Sequence, residues 1–195
     1  MTVRPAAGAS PDARSRIVDA GIRSVTRHGV AAASMAAIAL EAGVSKALLH
    51  YHYHDRATLL AGVADRLAAR LIQRERTAID GAAEGTGALN ALWAWLEGEL
   101  RRGELVALAE LALVREGPIR EACRTGATAR RVSATRTVDR LFAELDLTPR
   151  VPAALLAEAS VAFADGLALD AAAGSARDPR VAFDVFWLAL LGLAE

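Results

Sequence analysis

Apolar residues recur at three- and four-residue spacing along nearly the whole chain, and the stripes are separated by glycine, proline or capping residues. The first stripe is Ile17, Ala20, Gly21 and Val25. Ser10-Pro11-Asp12 ahead of it supplies an N-cap, a proline for the first turn and an acid near the positive helix end. This helix is expected to run to about His28 and stop at Gly29. Ser34 caps a second helix with Met35, Ile38 and Ala39 facing inward, and Gly43 supplies a left-handed turn. Ser45 caps a third helix, on which Val44 and Leu49 pack inward, and Asp55 caps a long fourth helix reaching about Asp80. After the glycine-rich break at residues 81–87, helices are expected over 88–102, 104–116, 119–145, 153–173 and from 179 to about 193. Gly117-Pro118 reads as a turn. No strand-like alternation of useful length and no repeat of fixed period interrupts the pattern. The fold class is therefore all-α, with about nine helices.

Composition narrows the picture. The chain of 195 residues is rich in Ala and Leu, poor in aromatics, and long enough to bury a real core. Its zero net charge hides an asymmetry: residues 1–60 hold seven Arg/Lys and four Asp/Glu, 7 − 4 = +3, and residues 61–195 hold 16 and 19, 16 − 19 = −3. A basic head on an acidic body suits a nucleic-acid partner for the head alone. Cys123 is the one cysteine, so no intramolecular disulfide is possible, which fits a reducing compartment and a buried, inert thiol. MTVRPAAGAS has no apolar core of a signal peptide, and the apolar run Val185 to Ala194 is too short to span a bilayer. A soluble, cytoplasmic protein with no membrane partner is expected.

The stretch from Ser34 to Arg56, SMAAIALEAGVSKALLHYHYHDR, carries the chemistry. Two short helices with a sharp turn at Ala42-Gly43-Val44, resting on a third, form a device that places one helix in the DNA major groove. The chain's single lysine, Lys46, and three of its four histidines fall in this window. Ser45, Lys46 and Ala47 stand in the first turn of the third helix, beside free backbone N–H groups that suit phosphate. His50, His52 and His54 form an H-x-H-x-H string, but on a helix only His50 and His54 share a face and no Cys or acidic partner is adjacent, so no metal site is expected. A Gly-rich phosphate loop, a nucleophile elbow and a His-Cys-carboxylate cluster are all missing from the sequence. No catalytic role and no cofactor are expected.

Taken in order, Ile17-Val18-Asp19-Ala20, Gly29, Ser34-Met35, Ile38-Ala39, Ala42-Gly43-Val44-Ser45-Lys46, Leu49 with the Tyr/His run, Arg56 and Leu59-Leu60 resemble the TetR family of transcriptional regulators over about residues 16–62. The resemblance implies a disordered arm over residues 1–9, a three-helix helix-turn-helix DNA-binding domain over 10–54, and a helical ligand-binding and dimerisation domain over 55–195. It implies a repressor released from a palindromic double-stranded DNA operator by a small apolar or aromatic effector. Ser34, Ser45, Lys46, Ala47, Leu48, His50, Tyr51, His52 and Arg56 are the implied DNA contacts, with Leu48 placed to meet a thymine methyl. Ala36, Ala37 and Leu40 depart from the polar residues common in the family, so the second helix is expected to make few DNA contacts.

For the body the resemblance implies a homodimer formed by the last two helices. Leu155, Ala159, Phe183, Phe186, Trp187 and Leu190 are the expected interface residues. Trp93, Leu96, Leu100, Leu111, Phe142 and Phe163 are the expected pocket lining. Asp165 and Glu110 are candidates to anchor a polar group of a ligand or to pair with Arg136 or Arg115, and the fourth helix is the expected transmitter between pocket and headpiece. A helical dimeric interaction module that no longer reads DNA is the alternative.

Overall fold

The computed structural model describes residues 11–83 and 87–195, with the side chains of residues 11 and 12 excepted. The expected arm over residues 1–9 and the Ser10 cap lie outside the described residues. Among these residues the chain folds into nine helices: α1 (Pro11–Ala32), α2 (Met35–Ala42), α3 (Lys46–His52), α4 (Arg56–Asp80), α5 (Gly87–Arg102), α6 (Glu104–Ala112), α7 (Gly117–Glu144), α8 (Ala153–Ala172) and α9 (Pro179–Leu191). The all-α expectation holds. Extended pairing is confined to an isolated antiparallel bridge between Pro149 and Ala194, which ties the α7–α8 connection to the end of the chain.

Three boundaries differ from the sequence reading. Helix α1 does not end at Gly29; the chain kinks there, at φ 76° and ψ 166°, and then completes another turn to Ala32. Helix α6 stops at Ala112, four residues earlier than expected, and Leu113 is left 82% exposed, so no apolar face remains to hold another turn. Gly117-Pro118 is the first turn of α7 rather than a separate loop, since proline's fixed φ and missing N–H cost nothing there.

Helix α4 organises the core. Leu60, Ala64, Leu67, Leu71 and Ile79 are buried at helical spacing, joined by Leu59, Val63 and Ala68. Its first half packs on α1, its second on α5, and α7 runs alongside it from Arg56–Glu116 to Asp80–Arg140, so one helix serves headpiece and body together. The junction of α4, α5 and α6 contains a charged tie. Glu99 is fully buried, and its carboxylate accepts from Arg74 Nε at 2.6 Å and Nη2 at 2.7 Å, while Arg74 also reaches Glu104 at 2.5 Å. Removing one partner of such a pair strands the other in low dielectric. Glu99→Gln is expected to lower unfolding free energy by about 3 kcal/mol, the low end for buried pairs because Arg74 stays partly solvated. A urea melt checks this, and a loss under about 1 kcal/mol would show the tie to be energetically idle.

Candidate nucleic-acid interface and ligand cavity

The turn between α2 and α3 is built as its residues dictate. Ser34 Oγ accepts from Ala37 N at 3.2 Å, and Ser45 Oγ accepts from Leu48 N at 3.1 Å. Gly43 adopts the left-handed region (φ 64°, ψ 37°), and its N–H returns to the last turn of α2. A Cβ at this glycine would touch nothing, so backbone conformation alone demands it. Asp55 accepts from Thr58 N at 2.7 Å, and this bond to the backbone N–H holds the Asp55 carboxyl below the usual range. Ile38, Ala39, Leu49 and Tyr53 are buried beneath the two helices and fix α3 on its support.

What α3 turns outward is most of the expected set. Ser45, Lys46, Ala47, His50 and Tyr51 are exposed, with Tyr51 at 70%. Leu48 is half-buried and stands outside the cluster of packed apolar residues. Ser34 is exposed at the start of α2, beside exposed Ala36 and Ala37 and a Leu40 that is 84% exposed. His52 is half-buried with its Nε2 shielded and unpartnered, edge-on to Tyr51 at 5.4 Å between ring centroids.

Arg56 requires a correction. It is expected as a phosphate contact, but Nε donates to Ala33 O at 2.8 Å, Nη2 donates to Val30 O, and Nη1 lies 3.7 Å from Glu116. Its fork holds the α1–α2 turn and meets the start of α7. Glu110 comes to the same turn, where its Oε2 accepts from Val30 N at 3.0 Å. Gly29 is required here, because a Cβ would lie 3.3 Å from that carboxylate and its φ is positive. Much of the headpiece's positive charge is spent internally too, since Arg23 and Arg27 lie 2.8 and 3.7 Å from Glu41. Lys46 makes no ion pair among the described residues.

The body holds a cavity of about 50 Å³ among α4, α5, α7, α8 and α9. Of the expected lining, Leu96 and Phe163 reach it, with Trp95, Phe183, Phe186 and Trp187. Leu111 and Phe142 are core residues instead, at 0% and 2% exposure. Leu100 faces a separate groove beside α1, and Trp93 packs on Phe183 with the Arg180 guanidinium 5.3 Å above its ring. The near-identical apolarity of α5 positions hid which side faces the space. Glu110 is taken by Val30, and Asp165 pairs with Arg130 at 2.7 Å rather than with Arg136 or Arg115.

Sequence reasoning missed Glu75, which lies in the cavity wall, 7% exposed, and accepts from Thr137 Oγ1 at 2.7 Å. Burial pushes its carboxyl above the usual range, against the opposing pull of the Thr137 bond and Arg130. The signal was present: the α4 stripe at 60, 64, 67, 71, 75 and 79 is apolar at every position but 75.

The interface residues also divide. Phe183, Trp187 and Leu190 are buried within the chain at 1%, 3% and 7% exposure, so they are core, and Phe186 stacks on Phe163 at 4.2 Å beside the cavity. Leu155 and Ala159 are exposed and begin a stripe that continues through Ala162, Gly166 and Leu169. Val181, Val185 and Leu188 form a second exposed stripe on α9, at 59%, 62% and 71%. On α9 the apolar periodicity points to the stripe that faces the core, and the exposed stripe lies behind it.

The capped helix-turn-helix and the all-helical body each have counterparts among known proteins. Residues 17–63 match the family model described as "Bacterial regulatory proteins, tetR family". Over that segment, about a quarter of its length, the chain is similar to the TetR family's DNA-binding module. It is 41% identical over 56 residues to the HTH-type transcriptional regulator BetI of Agrobacterium fabrum, a match covering 29% of this chain and 27% of BetI, so the chain spans about a quarter of that curated relative. The multidrug binding protein EbrR, solved with imidazole, is 25% identical at a TM-score of 0.61, over 93% of this chain and 96% of that one. A protein from Saccharomonospora viridis solved with choline is 20% identical at a TM-score of 0.72, over 91% and 94%, a likeness of fold. Among the described residues, no helix is long and apolar enough to cross a membrane.

Gly43→Ala isolates the conformational demand of the turn. It is expected to cost about 1–2 kcal/mol, the penalty of a left-handed L-residue, because the added methyl meets nothing. Thermal denaturation reads it, and an unchanged melting temperature would mean that the turn relaxes freely.

Proposed function

We propose that the protein is a sequence-specific DNA-binding transcriptional regulator, a repressor that leaves a palindromic operator when a small molecule enters the body. The observation that carries this reading is the outward face of α3. Lys46, Ala47, Leu48, His50 and Tyr51 project from a helix whose position is set by two hydroxyl caps, a left-handed glycine and a buried inner face. Base edges are read by short side chains on a rigid helix, while Lys46 and the flanking hydroxyls engage phosphate. Arg56 is held against the α1–α2 turn and Arg23 and Arg27 share Glu41 at the surface, while Lys46 supplies the lysine charge of α3 itself.

A single seven-residue reading helix offers little affinity, and a two-fold dimer doubles the contacts. The exposed stripes of α8 and α9 support such a dimer, since small residues at Ala159, Ala162 and Gly166 allow close helix approach and the flanking leucines and valines supply apolar area. That one structural relative was solved with imidazole and another with choline supports a small-molecule ligand for this chain as well. Glu110 and the Arg56–Glu116 pair join α6 and α7 to the α1–α2 turn, giving a route from cavity to headpiece besides α4 itself. A ligand that favours one spacing of the headpieces then weakens DNA binding in proportion to that preference.

Fluorescence anisotropy on DNA from upstream of the protein's own gene, with a scrambled control, tests the reading. Selective binding is expected, and Lys46→Ala should weaken it and reduce the salt-dependence slope by about 1. Binding equal to the scrambled control at every salt concentration would count against it. For assembly, Leu188→Arg should convert a dimer to a helical monomer in light scattering at micromolar concentration; a monomeric parent protein would sink the dimer.

A further inference from the structure

Glu75 lacks a reason to be where it is if the cavity is merely core. Every neighbour in its stripe on α4 is apolar, and a leucine or methionine would fill position 75 without desolvating a carboxylate. The wall around it contains one other ionisable group, Arg130, 9% exposed. Both terminal nitrogens of Arg130 are engaged by Asp165, at 3.1 and 2.7 Å. Glu75 therefore has no ion pair of its own among the described residues; Arg130, committed to Asp165, and Arg76 act on it only at a distance. A single hydroxyl, Thr137 Oγ1, donates to that carboxylate.

The rest of the wall is aromatic. Phe163 and Phe186 stack face to face, Phe186 meets Trp187 edge-on at 5.8 Å, and Trp95 stands on the facing helix with its Nε1 buried and unpartnered. Aromatic faces carry negative quadrupole charge and attract a cation without requiring hydrogen bonds from it. At about 50 Å³ the space holds roughly four waters' worth of probe volume, which bounds the occupant to a few heavy atoms.

We propose that this cavity selects a compact organic monocation of the alkylammonium class, with its charge beside Glu75 and its alkyl groups against Phe163 and Trp187. A cation beside Glu75 offsets the cost of ionising a buried carboxylate, a neutral apolar molecule does not, and an anion must displace Asp165 from Arg130. The inference rests on the ligand-binding part of the proposed function and narrows the expected apolar or aromatic effector to a cationic one.

Three molecules of similar shape decide it: tetramethylammonium, tert-butanol and pivalate, each titrated into the full-length protein by tryptophan fluorescence. The cation is expected to saturate at a concentration at least tenfold below the neutral alcohol, with pivalate weakest. Glu75→Gln should bring cation and alcohol together, and Phe163→Leu should weaken the cation more than the alcohol. The second variant keeps the test decisive if the first fails to fold by circular dichroism. Equal affinity for cation and alcohol, preference for pivalate, or no saturable response to any of the three overturns the proposal. DNA binding measured on the same samples separates the two readings. Intact operator binding without cation preference fails this inference alone, and cation preference without operator binding fails the regulator.

Discussion

Burial of α4 along its whole length is the constraint on which the rest of the molecule depends. The helix packs on the headpiece helix α1 through its first half and on the body helix α5 through its second, with α7 alongside it from end to end. A rigid helix of 25 residues packed at both ends cannot move at one end without changing its packing at the other. The cavity opens beside its second half, where Leu71 and Glu75 line it, and Arg56 begins its first turn. Position along this helix therefore links what fills the body to where the α1–α2 turn is held.

The charges of the headpiece follow from the same need for a fixed frame. Arg56 and Glu110 satisfy the backbone groups that the Gly29 kink and the α1–α2 turn expose, and both are anchored on elements of the body side. Arg56, expected from its motif position as a phosphate contact, has a structural task here as well. Two of the five N–H donors of this guanidinium are committed to carbonyls of the α1–α2 turn, and Glu116 lies 3.7 Å from a third nitrogen. Under the proposed function, the outward face of α3 carries a single lysine, Lys46, and selectivity rests on Leu48, His50 and Tyr51.

Much of this was legible in the residues. Ser34, Gly43, Ser45 and Asp55 announce their caps and turn because local hydrogen bonding and left-handed φ restrict which residue types serve, and α2, α3 and α4 begin as read. The body resisted for a different reason. Phe183 and Trp187 belong to a broad apolar face, and periodicity marks burial without saying whether the covering surface lies in the same chain or another. Val185 and Leu188, one step around α9, are the exposed ones. Glu75 was legible as the break in an apolar stripe, but its meaning depends on Arg130 and Asp165, which come to it from distant parts of the chain. Boundary errors at Gly29 and Gly117-Pro118 share one cause: glycine and proline punctuate a helix without always ending it.

The account stands most directly on selection of random double-stranded DNA by the purified full-length chain. It predicts enrichment of a single motif made of two inverted half-sites, spaced so that both α3 helices enter the major groove on one face of the duplex. Recovery of sequences indistinguishable from the starting pool, or of a lone half-site with no inverted partner, would contradict it.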